Sequence, residues 1–249
     1  MYLTTMGLVL RVTAYKDKDA LLTLLTPDNG KLTVKARGLY RKNSPLVAPC
    51  QLLAYGEFTL FEYRDMFVIN EAHSEQLFHD LRKDLCKLSL GTYFAQVADL
   101  LGQEDMPTQD LLPLVLNCLY AISNLSLPPE QVKAVFELRA ACLAGYTPEL
   151  SHCHYCGNKN PDRFNISEGV LECAVCRDSF SDGIRMPLTP GVLDCIRYIC
   201  TCSAKDIFRF SAGEQTIGVL SQISEAYLIR QLEHGFSTLD FYKSLLLST

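Results

Sequence analysis

The most constraining feature of the sequence is a change in the spacing of its apolar residues near residue 75. Before this point, short runs rich in Leu, Val, Thr and aromatic residues alternate with turn signals such as Pro27-Asp28-Asn29-Gly30. An Asn-Gly pair is a strong hairpin signal because both residues tolerate positive φ. Five short strands in about 75 residues predict a small closed β-barrel, either an OB-fold or an SH3-like barrel.

Beyond residue 75 the apolar spacing becomes helical. Leu90, Phe94, Val97 and Leu101 follow spacings of four, three and four residues, which places them on one face of a helix. Similar patterns predict helices over residues 112–122, 128–143, 188–201, 216–233 and 237–247. Because strands precede helices, we predict an α+β multidomain protein. Its predicted domains are a barrel over 1–78, a helical domain over 79–150 and 186–249, and an insert over 151–185.

The predicted insert holds four cysteines in two CxxC pairs. Sixteen residues separate the pair Cys153 and Cys156 from the pair Cys173 and Cys176. Each pair forms a knuckle that aims two sulfur atoms at one point, and a spacer of this length allows a hairpin to join the knuckles. Because four thiolates suit tetrahedral Zn²⁺, we predict a zinc-finger insert with one structural zinc. Four reduced or partly paired cysteines are the alternative.

The sequence lacks the motifs of common enzyme classes. It has no Gly-rich phosphate loop, no G-x-S-x-G elbow and no H-E-x-x-H pair. Four cysteine ligands leave no open position for a catalytic water, and neither CxxC pair follows a proline as in zinc deaminases. His152 and His154 flank the first pair and are alternative ligand candidates. We therefore expect a protein that is not an enzyme.

The composition favours a folded cytoplasmic protein. Apolar residues make up 48% of the 249 residues and charged residues 20%, which is enough for a sizeable core. No apolar run is long enough to predict a transmembrane helix, and the first residues lack the basic leader of a secretory signal. Seven further cysteines stand among apolar residues, where free thiols commonly pack in a core.

The distribution of charge is more informative than the net charge of −5. Residues 29–56 contain five basic side chains and no acidic one. These basic residues are Lys31, Lys35, Arg37, Arg41 and Lys42. The first three would project from one face of a regular strand. The segment could bind phosphates, with neighbouring rings such as Tyr40, Phe61 and Tyr63 stacking on bases, or it could be an ordinary solvated strand and loop.

Motifs along nearly the whole chain resemble those of one protein family. The opening strands carry Leu8-Val9-Leu10-Arg11, Asp17-Lys18-Asp19-Ala20-Leu21-Leu22-Thr23-Leu24-Leu25-Thr26 and Gly30-Lys31. The basic segment follows as Lys35-Ala36-Arg37-Gly38 with Arg41, Lys42 and Ser44. The central helix carries Phe136-Glu137-Leu138 and Leu143-Ala144-Gly145-Tyr146-Thr147-Pro148, leading into Cys153. Together with the order barrel, helices, four-cysteine insert and helices, these motifs resemble the RecO family of bacterial recombination mediators.

The resemblance implies an N-terminal OB-fold and a non-enzymatic function in DNA repair and homologous recombination. RecO-like proteins bind single- and double-stranded DNA and anneal complementary strands. With RecR they help load the RecA recombinase onto DNA coated by the single-stranded-DNA-binding protein, whose acidic C-terminal tail they contact. The resemblance also implies a nucleoid-associated protein that is a monomer when alone.

Carried over by position, the resemblance assigns phosphate contacts to Lys35, Arg37, Arg41 and Lys42, with Lys31 as a further candidate. It assigns zinc ligation to the four cysteines of the insert, and it assigns no residue to the docking of RecR or of the acidic tail. The alternative hypothesis is a zinc-stapled adaptor in RNA or DNA metabolism, which docks proteins and whose barrel does not bind DNA.

Overall fold

A computed structural model describes residues 2–64, 66–108, 110–176 and 183–247. Residues 177–182 of the predicted insert therefore lie outside the described residues. All eleven cysteines lie inside them, and each is a free thiol.

The chain packs into two compact units, Met1–Ser126 with Phe236–Thr249, and Leu127–Gly235. The helices of the predicted helical domain therefore belong partly to one unit and partly to the other. The predicted domains were defined by the type of secondary structure and not by packing, so their boundaries stay a prediction.

The first unit begins with a closed five-stranded barrel, and the predicted fold class of an OB-fold followed by helices is confirmed. Its strands are β1 (Tyr2–Tyr15), β2 (Asp19–Thr26), β3 (Gly30–Ala36), β4 (Tyr55–Tyr63) and β5 (Met66–Gln76). They close in the order β1-β2-β3-β5-β4, and β3 and β5 form the parallel pair. Closure pairs each strand on both sides, which removes the exposed edge of an open sheet.

The barrel core follows from alternating side chains. In β3 the even-numbered residues are buried and the odd-numbered residues point outwards, because successive side chains of a strand face opposite sides. Leu22, Leu24, Val34, Phe58 and Leu60 are fully buried in the same cluster. Each such side chain contributes about 1.5–3 kcal/mol through its removal from water.

The β2–β3 hairpin forms at the predicted Asn-Gly signal, but with a different turn geometry from the one expected. Thr26 pairs with Gly30, so three residues form the loop. Of Asn29 and Gly30, only Gly30 has a positive φ, +67°. A side chain at Gly30 would also overlap the backbone oxygen of Gln103, so the position requires glycine both for its conformation and for close approach.

The helices, in chain order, are α1 (Leu85–Leu101), α2 (Leu111–Asn124), α3 (Pro129–Leu143), α4 (Pro190–Thr201), α5 (Glu214–Leu232) and α6 (Ser237–Leu246). Helix α1 begins where the Asp84 carboxylate accepts a hydrogen bond from the Lys87 N–H at 3.1 Å, a typical N-terminal cap. The predicted apolar face of α1 is buried at Leu90, Phe94 and Val97. Helices α1, α2 and α6 belong to the first unit.

The second unit combines α3, α4 and α5 with a small four-stranded sheet. The sheet strands are β6 (Glu149–Cys153), β7 (Arg163–Asn165), β8 (Val170–Glu172) and β9 (Arg185–Pro187), in the order β6-β8-β7-β9. Helix α3 is buried almost all around and packs against α5. Because β6 and β8 are parallel neighbours, the sheet brings the two CxxC pairs together.

Two glycines that face each other in the barrel provide a test of its packing. Gly7 of β1 pairs with Gly56 of β4. A Cβ at Gly56 would overlap the backbone oxygen of His73, whereas a Cβ at Gly7 would make ordinary contacts with side chains at 3.5–3.6 Å. We expect Gly56→Ala to lower the free energy of unfolding by about 1–3 kcal/mol and Gly7→Ala by less than about 1 kcal/mol. Urea denaturation measures both, and equal losses would contradict the close approach.

Candidate nucleic-acid interface and metal centre

The predicted basic residues of β3 point outwards, but their charges are already paired. The Lys31 ammonium lies 3.2 Å from the Asp99 carboxylate of α1 and donates to the Asp99 backbone oxygen at 2.6 Å. The Lys35 ammonium lies 2.9 Å from the Asp19 carboxylate of β2. Lys31 is thus held against α1, and a phosphate would have to compete with Asp99 for it.

The Asp19 carboxylate also organises the turn that follows β3. Its Oδ1 accepts a hydrogen bond from the Gly38 N–H at 2.8 Å, while its Oδ2 pairs with Lys35. The Gly38 N–H and the Lys35 ammonium lower the pKa of Asp19. Gly38 has a φ of +67°, a left-handed conformation that favours glycine. Asp19 therefore fixes the chain reversal that leads to the next predicted cations.

The remaining predicted cations, Arg37, Arg41 and Lys42, are exposed. None of the three forms an ion pair with a described residue. A backbone hydrogen bond of 3.1 Å from the Tyr40 N–H to the Lys18 oxygen joins their loop to the β1–β2 turn. The structure thus brings these three cations together with a second turn of the barrel.

Three further cations near this loop were missed by sequence reasoning. Lys16 and Lys18 lie in the β1–β2 turn and Arg64 follows β4; all three are exposed and have no ion pair with any residue that the structure describes. The guanidinium groups of Arg37 and Arg64 both lie 5.2 Å from the centre of the Tyr63 ring. We call six residues the basic surface: Lys16, Lys18, Arg37, Arg41, Lys42 and Arg64.

Local charge balance explains the omission. Lys16 and Lys18 alternate in sequence with Asp17 and Asp19, so this stretch looks neutral. The Asp19 carboxylate, however, is directed to Lys35 and Gly38. The register of the β1–β2 hairpin could have revealed these two lysines, because the pairing of β1 with β2 leaves Lys16 and Lys18 in the turn.

The aromatic residues near the basic surface divide into core and surface residues. Phe58 is fully buried, and Phe67 packs against the barrel core. Tyr40 is 52% exposed and Tyr63 is 47% exposed, while Phe61 is half-buried on the outer side of β4. Of these five rings, the last three are accessible to a base.

In the second unit, the four predicted cysteine ligands converge. The Sγ atoms of Cys153, Cys156, Cys173 and Cys176 all lie within 4.8 Å of one another, and those of Cys156 and Cys173 are 3.6 Å apart. Tetrahedral coordination with metal–sulfur bonds of about 2.3 Å places sulfur atoms about 3.8 Å apart. The cluster could therefore hold a metal ion with little rearrangement.

The electrostatics of the cluster also suit a cation. The Cys176 N–H lowers the pKa of Cys173 to about 7. In contrast, the neighbouring Cys156 sulfur raises the pKa of Cys176 to about 12. Cys153, Cys173 and Cys176 are buried. Because adjacent thiolates repel one another, all four can ionise together when a bound cation neutralises them.

The flanking histidines do not join this cluster. His152 Nδ1 lies 3.1 Å from the Cys153 backbone oxygen, and His154 Nδ1 lies 3.1 Å from the Glu149 carboxylate. Among the described residues the cluster consists of the four cysteines alone. The alternative that a histidine replaces a cysteine ligand is therefore not supported by the geometry.

A buried network supports the cluster from the adjacent strand. Glu172, next to Cys173, is fully buried and accepts hydrogen bonds from Asn165 at 2.7 Å and from Arg185 at 2.6 Å. These contacts tie β8 to both β7 and β9. Removing one partner of a buried ion pair leaves an unpaired charge, which commonly costs about 3–5 kcal/mol.

A second buried network lies between α3 and α5. The Lys133 ammonium is buried and lies 3.1 Å from the Glu137 carboxylate and 2.8 Å from that of Glu225. The Lys133 ammonium also donates to Ser221 Oγ at 3.3 Å. Lys133 is therefore not available to contact an acidic partner on the surface.

Comparison with known proteins identifies the family. The family model "Recombination protein O N terminal" matches residues 1–78, and "Recombination protein O C terminal" matches residues 82–240. The chain belongs to the RecO family. Membership in the RecO family supports a role in DNA repair and recombination.

Relatives named "DNA repair protein RecO" match nearly the whole chain. The protein of Acetivibrio thermocellus is 31% identical over 246 residues, covering 98% of this chain and 97% of its own. The protein of Alkaliphilus metalliredigens is 28% identical, covering 98% and 100%. That of Bacillus subtilis is 26% identical, covering 89% and 86%.

Across the described ranges, no helix has both the length and the apolar character needed to span a membrane.

The contacts of the Asp19 carboxylate with Lys35 and Gly38 predict that the stability of the protein depends on pH. Asp19→Asn keeps an oxygen for the Gly38 N–H but removes the charge that pairs with Lys35. Because the folded-state pKa of Asp19 is lowered, its contribution is fully present above the ordinary value of 3.8 and is lost as pH falls through the lowered pKa. At pH 7 we expect the variant to be less stable by up to about 1 kcal/mol. Denaturation at pH 7 and in acid measures the difference, and a larger difference in acid would contradict this account.

Proposed function

We propose that this chain is a recombination mediator that binds single- and double-stranded DNA through the basic surface and anneals complementary strands. The observation that carries this proposal is the cluster of six exposed cations without ion-pair partners among the described residues, in a chain of the RecO family. Of the five cations predicted from sequence, Arg37, Arg41 and Lys42 are the primary phosphate contacts. Lys35 contributes beside Asp19, and Lys31 is a secondary contact because of Asp99.

The proposed binding is local and electrostatic. The whole chain carries a formal charge of −5, so long-range attraction to DNA comes from the basic surface alone. Each phosphate neutralised by a cation releases counterions, which makes the affinity fall with salt. Neutralising phosphates on two strands also lowers the repulsion between them, and annealing requires this.

The proposed partners follow from the family. With RecR, the protein would help load RecA onto DNA coated by the single-stranded-DNA-binding protein, whose acidic tail it would contact. Because Lys133 is buried and paired with Glu137 and Glu225, we do not propose it as a contact for the acidic tail. The function is proposed to be non-enzymatic, so that annealing needs no nucleotide hydrolysis by this chain, and its place of action is the bacterial nucleoid.

The metal proposed for the cysteine cluster is one structural Zn²⁺. Its donor set is four sulfur atoms without a further ligand among the described residues, and soft thiolates in tetrahedral geometry favour zinc. Zinc would be held by Cys153, Cys156, Cys173 and Cys176, where it would neutralise the thiolates and join β6 to the end of β8. A closed site of this kind stabilises the fold and leaves no position for catalysis.

The function is tested by the pairing rate of complementary oligonucleotides coated with the cognate single-stranded-DNA-binding protein. We expect the chain to accelerate pairing without ATP, alone or with RecR added, and more strongly at low salt. No acceleration in either condition, with folded protein, would favour the protein-docking adaptor. A requirement for ATP hydrolysis by this chain would contradict the non-enzymatic proposal.

Charge reversal on the basic surface tests the interface. We expect Arg37→Glu with Arg41→Glu to weaken oligonucleotide binding by at least about tenfold and to reduce the salt slope by about 1 or more. The matched control is Lys205→Glu with Arg230→Glu, two exposed cations of the second unit that change the net charge equally. Equal losses in both variants would show a general charge effect, and fluorescence anisotropy at several salt concentrations measures each.

The metal is tested by elemental analysis of freshly purified, reduced protein. We expect one zinc per chain. Cys173→Ser should lose the zinc and make the insert sensitive to limited proteolysis, because a three-ligand site binds the metal more weakly. Cys86→Ser, at a half-buried cysteine of α1, should keep it. Protein without metal would eliminate the zinc proposal.

A further inference from the structure

Three aromatic rings follow one another across the outer side of the barrel. Tyr2 of β1 pairs directly with Phe61 of β4, and their ring centres are 6.3 Å apart. Tyr63 follows Phe61 by two residues, so a regular strand places both rings on the same face. We call Tyr2, Phe61 and Tyr63 the stacking row.

Arginine side chains connect the stacking row to the basic surface. The Arg37 guanidinium lies 5.8 Å from the centre of the Phe61 ring and 5.2 Å from that of Tyr63. The Arg64 guanidinium lies 5.2 Å from the Tyr63 ring on which Arg37 also rests. Rings and cations thus lie next to each other on one surface. Rings can stack on the bases of a nucleic-acid strand while cations contact its phosphates.

The stacking row is accessible, and its central ring, Phe61, lies beside a buried residue of the next strand. Tyr2 is 72% exposed and Tyr63 is 47% exposed. Phe61 pairs with Val68 of β5, which is 2% exposed and pairs on its other side with Lys35. The neighbours of Val68 in β5, Phe67 and Ile69, face the barrel core, so Val68 faces the outer side, next to Phe61. Much of Tyr2 and Tyr63 is therefore accessible, and a base that stacks on Phe61 or Tyr63 would take the place of an arginine side chain that now lies over the ring.

We propose that the stacking row binds unpaired bases of single-stranded nucleic acid. The inference rests on the proposed DNA binding of the basic surface and adds a contact that charge alone does not provide. An aromatic ring stacks on any base, so the contact tolerates any sequence. Bases within a duplex are already stacked on each other, so only a single strand can use these rings. The stacking row thereby gives the basic surface a preference for single strands.

The direct test compares two oligonucleotides of equal length and charge: oligo-dT, and a strand of abasic sites with the same phosphate backbone. We expect the unmodified chain to bind oligo-dT at least about fivefold more tightly, which is the lower end for one stacked base. The salt slopes should be equal, because both strands present the same phosphates.

Ring removal separates stacking from charge. In Phe61→Leu with Tyr63→Leu, leucine at position 61 keeps an apolar side chain opposite Val68, and neither leucine offers an aromatic face. We expect the preference for oligo-dT over the abasic strand to fall towards one, with abasic binding and its salt slope unchanged. Tyr2→Leu, at a position too exposed to be needed for folding, should lower the preference in part. Tyr120→Leu, which removes a 50% exposed ring from α2, is the control and should not change it.

A fluorescent reporter provides a second measurement. The chain contains no tryptophan, so Tyr63→Trp introduces a single one in the stacking row. We expect oligo-dT to quench its emission and the abasic strand to leave it nearly unchanged. Tyr120→Trp is the matched reporter and should respond to neither strand.

The outcomes distinguish the two proposals. If the unmodified chain binds both strands equally and with the expected salt dependence, DNA binding by the basic surface stands and the stacking row is overturned. A preference for oligo-dT that survives removal of all three rings also overturns it. If neither strand binds, the proposed function fails and the stacking row fails with it. An unchanged tryptophan signal upon tight oligo-dT binding would place the bases elsewhere.

Discussion

The Asp19 carboxylate connects the chain segments that carry the basic surface. It begins β2, pairs with Lys35 on β3 and accepts the Gly38 N–H at the start of the following loop. Without this acceptor, the Gly38 N–H and the Lys35 ammonium would both need other partners, and the loop that carries Arg41 would lose its fixed starting point. A single acidic residue inside a basic region therefore orders the cations around it.

Those parts of the fold that depend on local spacing could be predicted from the sequence. Short apolar runs that end at turn signals, such as the run of Leu22 and Leu24 before Asn29-Gly30, indicated strands. The helical spacing of Leu90 and Phe94 indicated α1, because burial on one face imposes the period of a helix. The cysteine cluster was predictable from the spacing of its ligands. Each CxxC pair is local, and one parallel pairing of β6 with β8 brings the two pairs together.

The pairing of distant charges could not be predicted from local spacing. Lys31 is bonded to Asp99, 68 residues away in sequence, and Lys133 forms an ion pair with Glu225 of another helix. Such pairs depend on which helix packs against which strand or helix, and the apolar period leaves that open. The sequence therefore placed Lys31 and Arg37 in one basic segment, whereas the structure separates a paired ammonium from an exposed guanidinium.

An annealing surface has to hold a strand without hiding what the strand must present. In the proposed function, phosphate contacts from Arg41 and Lys42 would leave the bases untouched, and a ring such as Tyr63 would stack on the face of a base. Neither contact uses the hydrogen-bonding edge of the base, so a held strand can still pair with its complement. Once pairing begins, the bases stack on each other and can no longer stack on the rings. The proposed contact that favours the single strand would then be lost, while the proposed phosphate contacts, which a duplex also offers, would remain. Annealing itself would thus weaken the hold of the barrel on its product.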